Sequence, residues 1–183
     1  MLSSILSRIV FYPTLAYNGF MTRISNRQWY NRIDDTVILG ALPVKWISKQ
    51  LIVDENIGGV ISLNQEFELK RLVYTLEEWK QLNVTQLKIP TLDYIGAPST
   101  ADLKRGVDFI LKHKKDQKSV YVHCKAGRTR STTVVACYLM TVNNLSPEES
   151  LNFIKDKRPH VVLREPQYKA LESYKEMLEN SVK

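Results

Sequence analysis

The sequence predicts an α/β fold, a mostly parallel central sheet with helices on both faces. Three observations carry this. Short β-branched runs alternate along the chain with longer stretches of helical periodicity, the pattern of strands joined by crossover helices. Two of the helical stretches open on capping boxes, Thr75 to Glu78 and Ser146 to Glu149. And the run Ser119-Val120-Tyr121-Val122 passes through a short polar loop into the apolar stretch Ser131 to Val142, a strand that turns sharply into a buried helix.

Taken in order, Thr36 to Gly40 reads as the first strand and Val44 to Glu55 as an amphipathic helix. Gly59 to Leu63 is a second buried strand. Thr75 opens a short helix to about Asn83, and Thr85 to Ile89 forms a third strand, stopped by Pro90. Ser99 to Lys115 is helical, with Leu103, Val107, Ile110 and Leu111 on one face. The strand from Ser119 and its helix follow. Ser146 caps a further helix with Pro147 at its first position, and a last helix runs from about Pro166 to Glu179.

The richest stretch is His123-Cys124-Lys125-Ala126-Gly127-Arg128-Thr129-Arg130-Ser131, with five residues between a cysteine and an arginine. A strand turning into a helix leaves backbone N–H groups without internal partners, and with the positive end of the helix dipole they attract an anion. Gly127 lets the backbone approach a bound oxyanion, and Arg130 can grip two of its oxygens with a planar fork. The same field favours a thiolate at Cys124, since a free thiol near pKa ~8.5 falls to roughly 3.5–7.5 in such surroundings. An anion cradle above an ionised cysteine is the arrangement for phosphoryl transfer through a phosphocysteine. Such loops sit at the carboxyl ends of parallel strands, where ligands bind in α/β sheets. Cys137, amid Val134, Val135, Tyr138 and Leu139, reads as a small core residue.

With 183 residues and 44% hydrophobic content, one well-filled domain is expected, without repeats or low-complexity tracts. Two cysteines give no disulfide framework, and the three histidines are scattered, so neither metal nor cofactor is expected. The net charge of +7 is uneven: residues 1–33 hold Arg8, Arg23, Arg27 and Arg32 and no acid, leaving 22 basic against 19 acidic residues, +3, for the rest. A mildly basic body argues against nucleic acid as partner. The first segment also carries Ser3, Ser4 and Ser7, with Leu2, Ile5, Leu6, Ile9 and Val10 at helical spacing, features of a mitochondrial presequence. No stretch reaches the ~20 apolar residues of a membrane span. Phe11, Tyr12, Tyr17, Phe20, Trp29 and Tyr30 form an aromatic run suited to a membrane interface, or to an ordinary first helix packed on the domain.

His-Cys-x5-Arg-Ser resembles the signature loop of the protein-tyrosine-phosphatase superfamily in its dual-specificity branch, and Arg158-Pro159 through Gln167 is similar to that branch's post-loop segment. Phe11 to Leu15, Trp29 to Asp34, Leu39 to Pro43 and Val53 to Asn56 resemble, within it, the mitochondrial phosphatases that act on phosphatidylglycerophosphate. The resemblance implies the cysteine-phosphatase fold, a targeting and membrane-proximal segment over 1–33 and a phosphatase domain over 34–183. It also implies hydrolysis of the lipid's terminal monoester, on the route to cardiolipin, peripherally at the matrix side of the mitochondrial inner membrane. The partner is then an anionic phospholipid at a membrane surface; the oligomeric state is left open. A dual-specificity protein phosphatase or phosphoinositide phosphatase with the same mechanism is the alternative, and a silent phosphate-binding module is the reading from another class.

The resemblance further assigns roles. Cys124 is the nucleophile, and Arg130 with the amides of Lys125, Ala126, Gly127, Arg128 and Thr129 binds the phosphate. An alkoxide leaves poorly without a proton, and in the superfamily an aspartate some thirty residues before the cysteine supplies it. Asp93, opening the loop Asp93 to Pro98 after the third strand, stands there. Asp102 is its rival, in a first helical turn where a carboxylate commonly complements the dipole. Thr91-Leu92 precede Asp93 where the tyrosine-specific enzymes have Trp-Pro. Ser131 would donate to the Cys124 sulfur, and His123 would hold the loop through its ring nitrogens. Glu68, in Asn64-Gln65-Glu66-Phe67-Glu68, would orient Arg130 by a bidentate pair or stand as a solvated loop charge. Lys125 and Arg128 would border the pocket and meet a second substrate charge, or point to water.

Overall fold

The computed structural model of the chain describes residues 13–17, 19–21, 24–25, 27–69, 72–93 and 96–181. The presequence features at residues 2–10, together with Phe11, Tyr12 and Arg23, lie outside the described residues. Five strands form one sheet: β1 (Tyr30–Arg32), β2 (Val37–Gly40), β3 (Ile57–Ser62), β4 (Thr85–Lys88) and β5 (Ser119–His123), in the order β1-β2-β5-β3-β4. β1 is antiparallel to β2, and every other pairing is parallel. Among the described residues from β1 onward, the helices that connect and cover them are α1 (Lys45–Asp54), α2 (Glu66–Leu69), α3 (Leu76–Gln81), α4 (Thr100–Lys115), α5 (Arg130–Asn143), α6 (Pro147–Lys157) and α7 (Glu165–Asn180).

Alternation along the central strands builds the two faces. Val37, Leu39, Ile61, Val120 and Val122 point into one core with α4 to α7, through Leu103, Val107, Val134, Leu151 and Leu171. Ile38, Val60 and Tyr121, one residue out of phase, point into the other with Ile47 and Leu51 of α1 and Trp79 of α3. Both faces are thereby buried, as a parallel sheet requires. α5 is the central helix: Ser131 through Met140 are all buried, which accounts for its run of apolar and small residues. Both capping boxes form, at Thr75 with Glu78 and at Ser146 with Glu149. Cys137 lies in this core, where burial pushes its thiol well up from the usual range.

Two short elements lay outside the sequence expectations. α2 is a single turn. β1 has only three residues, Tyr-Asn-Arg, and owes its strand character to its partner: Tyr30 faces Gly40 and Arg32 faces Ile38 across a turn closed by Asp34. The division drawn between residues 33 and 34 therefore runs through the β1–β2 hairpin, and residues 30–32 belong structurally to the sheet. Trp29 donates its indole N–H to the Leu42 carbonyl at 2.9 Å, and Tyr30 meets the Tyr121 ring edge to face. Tyr17 and Phe20 stay exposed, at 55% and 57%.

Gly40 is where this edge meets the site. Tyr121 passes over it to donate its hydroxyl to the Ala41 carbonyl at 2.6 Å. A Cβ on Gly40 would collide with that hydroxyl and lie 2.7 Å from the Tyr30 Cβ. Gly40→Ala is expected to destabilise the fold by about 1–3 kcal/mol through this overpacking, read as a lower urea midpoint with an unchanged slope.

Candidate active site

β5 ends at His123, and the backbone of residues 124–129 curls beneath the first turn of α5. Thr129 caps α5 without a side-chain bond to its amides, because its hydroxyl donates to the Val162 carbonyl at 2.9 Å. The N-terminal amides of this 14-residue helix thus face the loop interior. Gly127 adopts φ +63°, and a Cβ there would strike the Gly40 carbonyl group and lie 2.9 Å from the Ala41 nitrogen. Glycine is required twice over, by its conformation and by its close packing on the end of β2.

Cys124 is buried at the base of this curl, 3% exposed. Burial alone would raise its thiol, but the Arg130 charge, the Ser131 hydroxyl and the amides of Ser131 and Arg128 outweigh it, and the net direction is down. Ser131 Oγ lies 3.2 Å from Cys124 Sγ. His123 stacks on the Tyr121 ring at 5.8 Å, and its Nδ1 approaches the Cys124 carbonyl only at 3.5 Å. Burial pushes its imidazole down to about 3, so it is neutral at physiological pH. Its packing, more than its ring nitrogens, holds the loop.

Arg130 is fully enclosed, at 1% exposure. Glu68, equally buried, takes its fork at 2.9 Å and 3.2 Å, and the Thr91 and Leu63 carbonyls accept at 3.0 Å and 3.3 Å. Burial opposes the charge on Arg130, yet Cys124, Glu68 and Asp93 hold its proton above the usual range. Glu68 is thus no solvated loop charge; the Gln65 amide donates to it as well, at 2.7 Å.

Asp93 faces the loop from across the cleft. One oxygen lies 3.1 Å from Arg130 Nη2 and the other 2.5 Å from Lys125 Nζ. Thr91, whose carbonyl receives Arg130, fixes one end of its loop, and buried Gln167 fixes the other by donating to the Gly96 carbonyl at 2.6 Å. Asp102 is elsewhere: it accepts from Ser99, whose hydroxyl caps α4, and pairs with Arg105 at 2.7 Å. Lys125 is 8% exposed and directed at Asp93, not at water. Arg128 borders the cleft, with its Nε donating to the His160 carbonyl at 2.9 Å.

The cleft, about 290 Å³, is lined by these groups and by Thr14, Tyr17, Arg27, Val162 and Arg164, which the sequence reading did not assign to it. Asp93 is its one carboxylate among the described residues. Arg158 was also missed as an individual residue. Fully buried, it donates from Nε to the Gly127 carbonyl at 2.8 Å and from Nη2 to the Ala126 carbonyl at 3.1 Å. Its other bonds reach Asn31 Oδ1 at 2.5 Å and the Gln28 and Trp29 carbonyls. Nothing in its spacing marks this role. Among the described residues no group of three or more His, Cys, Asp or Glu side chains is placed to hold a metal ion.

A sulfur favoured toward its thiolate by neighbouring amides and a guanidinium, with a carboxylate opposite, can attack a phosphomonoester and exchange a proton with its leaving group.

Comparison with known proteins agrees with this chemistry. Residues 44–177 match the dual specificity phosphatase catalytic domain family. The chain is 47% identical over 172 residues to a Rattus norvegicus protein named phosphatidylglycerophosphatase and protein-tyrosine phosphatase 1, covering 92% of this chain and 89% of that protein. The human protein of the same name is 45% identical over 172 residues, covering 92% and 86%. A crystal structure of PTPMT1 in complex with PI(5)P superposes with a TM-score of 0.83 at 44% identity, over 85% of this chain and all of that one.

The cradle makes a checkable claim about the sulfur. Iodoacetamide should alkylate Cys124 with an inflection below the free-thiol range, its rate rising with pH as the thiolate forms. Ser131→Ala removes one donor to the charged sulfur and should move the inflection to higher pH; Cys124→Ser should abolish both labelling at this site and turnover.

Proposed function

We propose, for a chain that belongs to the dual specificity phosphatase family, that it hydrolyses the terminal phosphomonoester of phosphatidylglycerophosphate at a membrane surface. The observation that carries this is the charge of the cleft: Arg27, Lys125, Arg128, Arg130 and Arg164 line it against a single carboxylate among the described residues. A doubly anionic headgroup suits such a cleft better than a peptide with one phosphate. The names of the rat and human relatives support the same substrate.

Each residue then has a task. The Cys124 thiolate attacks phosphorus, forming the P–S bond as the P–O ester bond breaks. Arg130 and the loop amides neutralise the equatorial oxygens, with Glu68 fixing the plane of the fork. Arrival of a phosphate takes Arg130 Nη2 from Asp93, and that carboxyl, acting as the general acid, faces the leaving group with its proton. That proton goes to the leaving glycerol oxygen. Water then attacks the phosphocysteine, Asp93 accepts its proton, and Ser131 supports the departing thiolate. Lys125, ion-paired with Asp93, positions the acid in the cleft.

The proposed location is the matrix side of the mitochondrial inner membrane, peripherally bound, with residues 1–33 supplying the address and the product feeding cardiolipin synthesis. Support comes from the acid-free arginines of this segment and from its exposed Phe20, Ile24 and Tyr17, the last of which lines the cleft. Among the described residues no helix is long and apolar enough to cross a membrane. A second reading, a phosphoinositide phosphatase, is favoured by the PI(5)P held in the related PTPMT1 structure.

Phosphate release from vesicles carrying phosphatidylglycerophosphate, from phosphoinositides and from phosphotyrosine peptides tests the reading. The highest kcat/KM should belong to phosphatidylglycerophosphate; a preference for phosphopeptides would overturn it, and a preference for phosphoinositides would select the second reading. On the lipid, Asp93→Asn should lower kcat by roughly 10²–10⁴-fold, with a smaller loss on an activated aryl phosphate, and Asp102→Asn should change little. A larger loss for Asp102→Asn would move the acid to that residue.

A further inference from the structure

Beyond the cradle, the cleft mouth concentrates positive charge, and among the described residues Asp93 is the one carboxylate lining the cleft. Arg27 and Arg128 both line it. Arg32 pairs with Glu55, Arg105 with Asp102 and Arg130 with Glu68, while Arg164, which also lines the cleft, is exposed. Neither Arg27 nor Arg128 forms an ion pair among the described residues, and Asp93 is engaged by Lys125 and Arg130. Arg128 is instead tied through Nε to the His160 carbonyl, which fixes its stem and aims its remaining donors from a set position. His160 reports the field between them. Its imidazole is pushed down to about 4 by burial first, then by the charges of Arg158, Arg128 and Arg27. Arg158 is accounted for by its five oxygen acceptors in the loop and β1 region. That leaves two partly buried guanidiniums sharing one region of like charge.

We propose that Arg27 and Arg128 form a second anion subsite at the mouth of the cleft, and that it holds the phosphodiester of the substrate while the terminal monoester lies above Cys124. This rests on the lipid reading above and deepens it. The structure changes the division of labour within the loop: Lys125 serves Asp93, so the second charge falls to Arg128, and its partner comes from outside the loop. Arg27 belongs to the basic segment before β1 and reaches the mouth because the hairpin folds back on the loop. Guanidiniums suit a phosphodiester, whose two free oxygens match a planar fork. A substrate with a monoester alone leaves the subsite without its anion, so the subsite discriminates through binding.

Two soluble esters with the same glycerol leaving group isolate the effect from any membrane. One is the deacylated headgroup, glycerophosphoglycerophosphate, which has both the monoester and the phosphodiester. The other is glycerol 3-phosphate, which has only the monoester. The native enzyme should favour the first in kcat/KM by about tenfold or more, the scale of one or two charge-assisted hydrogen bonds. The preference should shrink as salt rises. Arg27→Gln should narrow the gap through KM on the headgroup, and Arg27→Lys should keep part of it. No gap in the native enzyme, or equal losses on both esters in Arg27→Gln, would overturn the subsite even if lipid vesicles remained the preferred substrate. Loss of the vesicle preference with the gap intact would instead overturn the lipid reading and leave the anion subsite standing.

Discussion

The buried pair of Arg130 with Glu68 is the constraint on which the rest of the site depends. A guanidinium at 1% exposure needs acceptors and a counter-charge, and Glu68 and the Leu63 and Thr91 carbonyls engage its two terminal nitrogens from three segments, while Nε has no partner among the described residues. Each partner is thereby positioned in turn. Thr91 carries Asp93, two residues on, into the cleft; Leu63 follows β3, whose Ser62 pairs with His123 at the end of β5. The positive charge so installed holds Cys124 toward its thiolate despite burial. One buried cation thus sets the guanidinium fork, the charge at Cys124 and the place of the loop that carries Asp93.

What could be read from sequence follows the range of the forces involved. The strand, loop and helix around Cys124 were legible because local chemistry specifies them: β-branched residues, a glycine forced to positive φ, an apolar helix. The capping boxes at Thr75 and Ser146 were legible for the same reason, since their bonds span three residues. The family resemblance carried Asp93, Ser131 and Glu68 further than spacing could. β1 was not legible, because a Tyr-Asn-Arg triplet has no strand pattern of its own and is ordered by Gly40 and Ile38 across the hairpin. Arg158 was opaque too: its acceptors lie about thirty residues away in the loop and well over a hundred in the β1 region.

Lys125 shows how a residue expected at the pocket can have a partner there that the sequence did not disclose. Between the cysteine and the arginine, a lysine was expected either to meet substrate or to face water. The curl of the loop leaves its ammonium in a nearly closed space, and a lone buried cation there would be unfavourable. Asp93 is the carboxylate within reach, so the acid loop and the phosphate loop are joined by charge as well as by the shared contact with Arg130. An anion entering beside Arg130 would then compete with its ion pair to Asp93, while the pair of Lys125 with Asp93 would remain.

The N-terminal region gains a structural meaning from Arg158. This arginine, lowered to about 10 by burial yet charged at neutral pH, draws its acceptors from two places: the Ala126 and Gly127 carbonyls in the loop, and Gln28, Trp29 and Asn31 beside β1. Trp29 in turn donates to the Leu42 carbonyl, and Leu42 donates its amide to the Lys125 carbonyl at 3.3 Å. Residues 28–31 therefore brace the back of the phosphate loop, and Arg27, one position earlier, stands at its mouth. A segment whose composition reads as an import address ends by completing the site. Residues 1–33 and the rest of the chain cannot be separated at a single peptide bond near residue 33: removing everything before it would strip three acceptors from a buried cation and loosen the loop that holds Cys124.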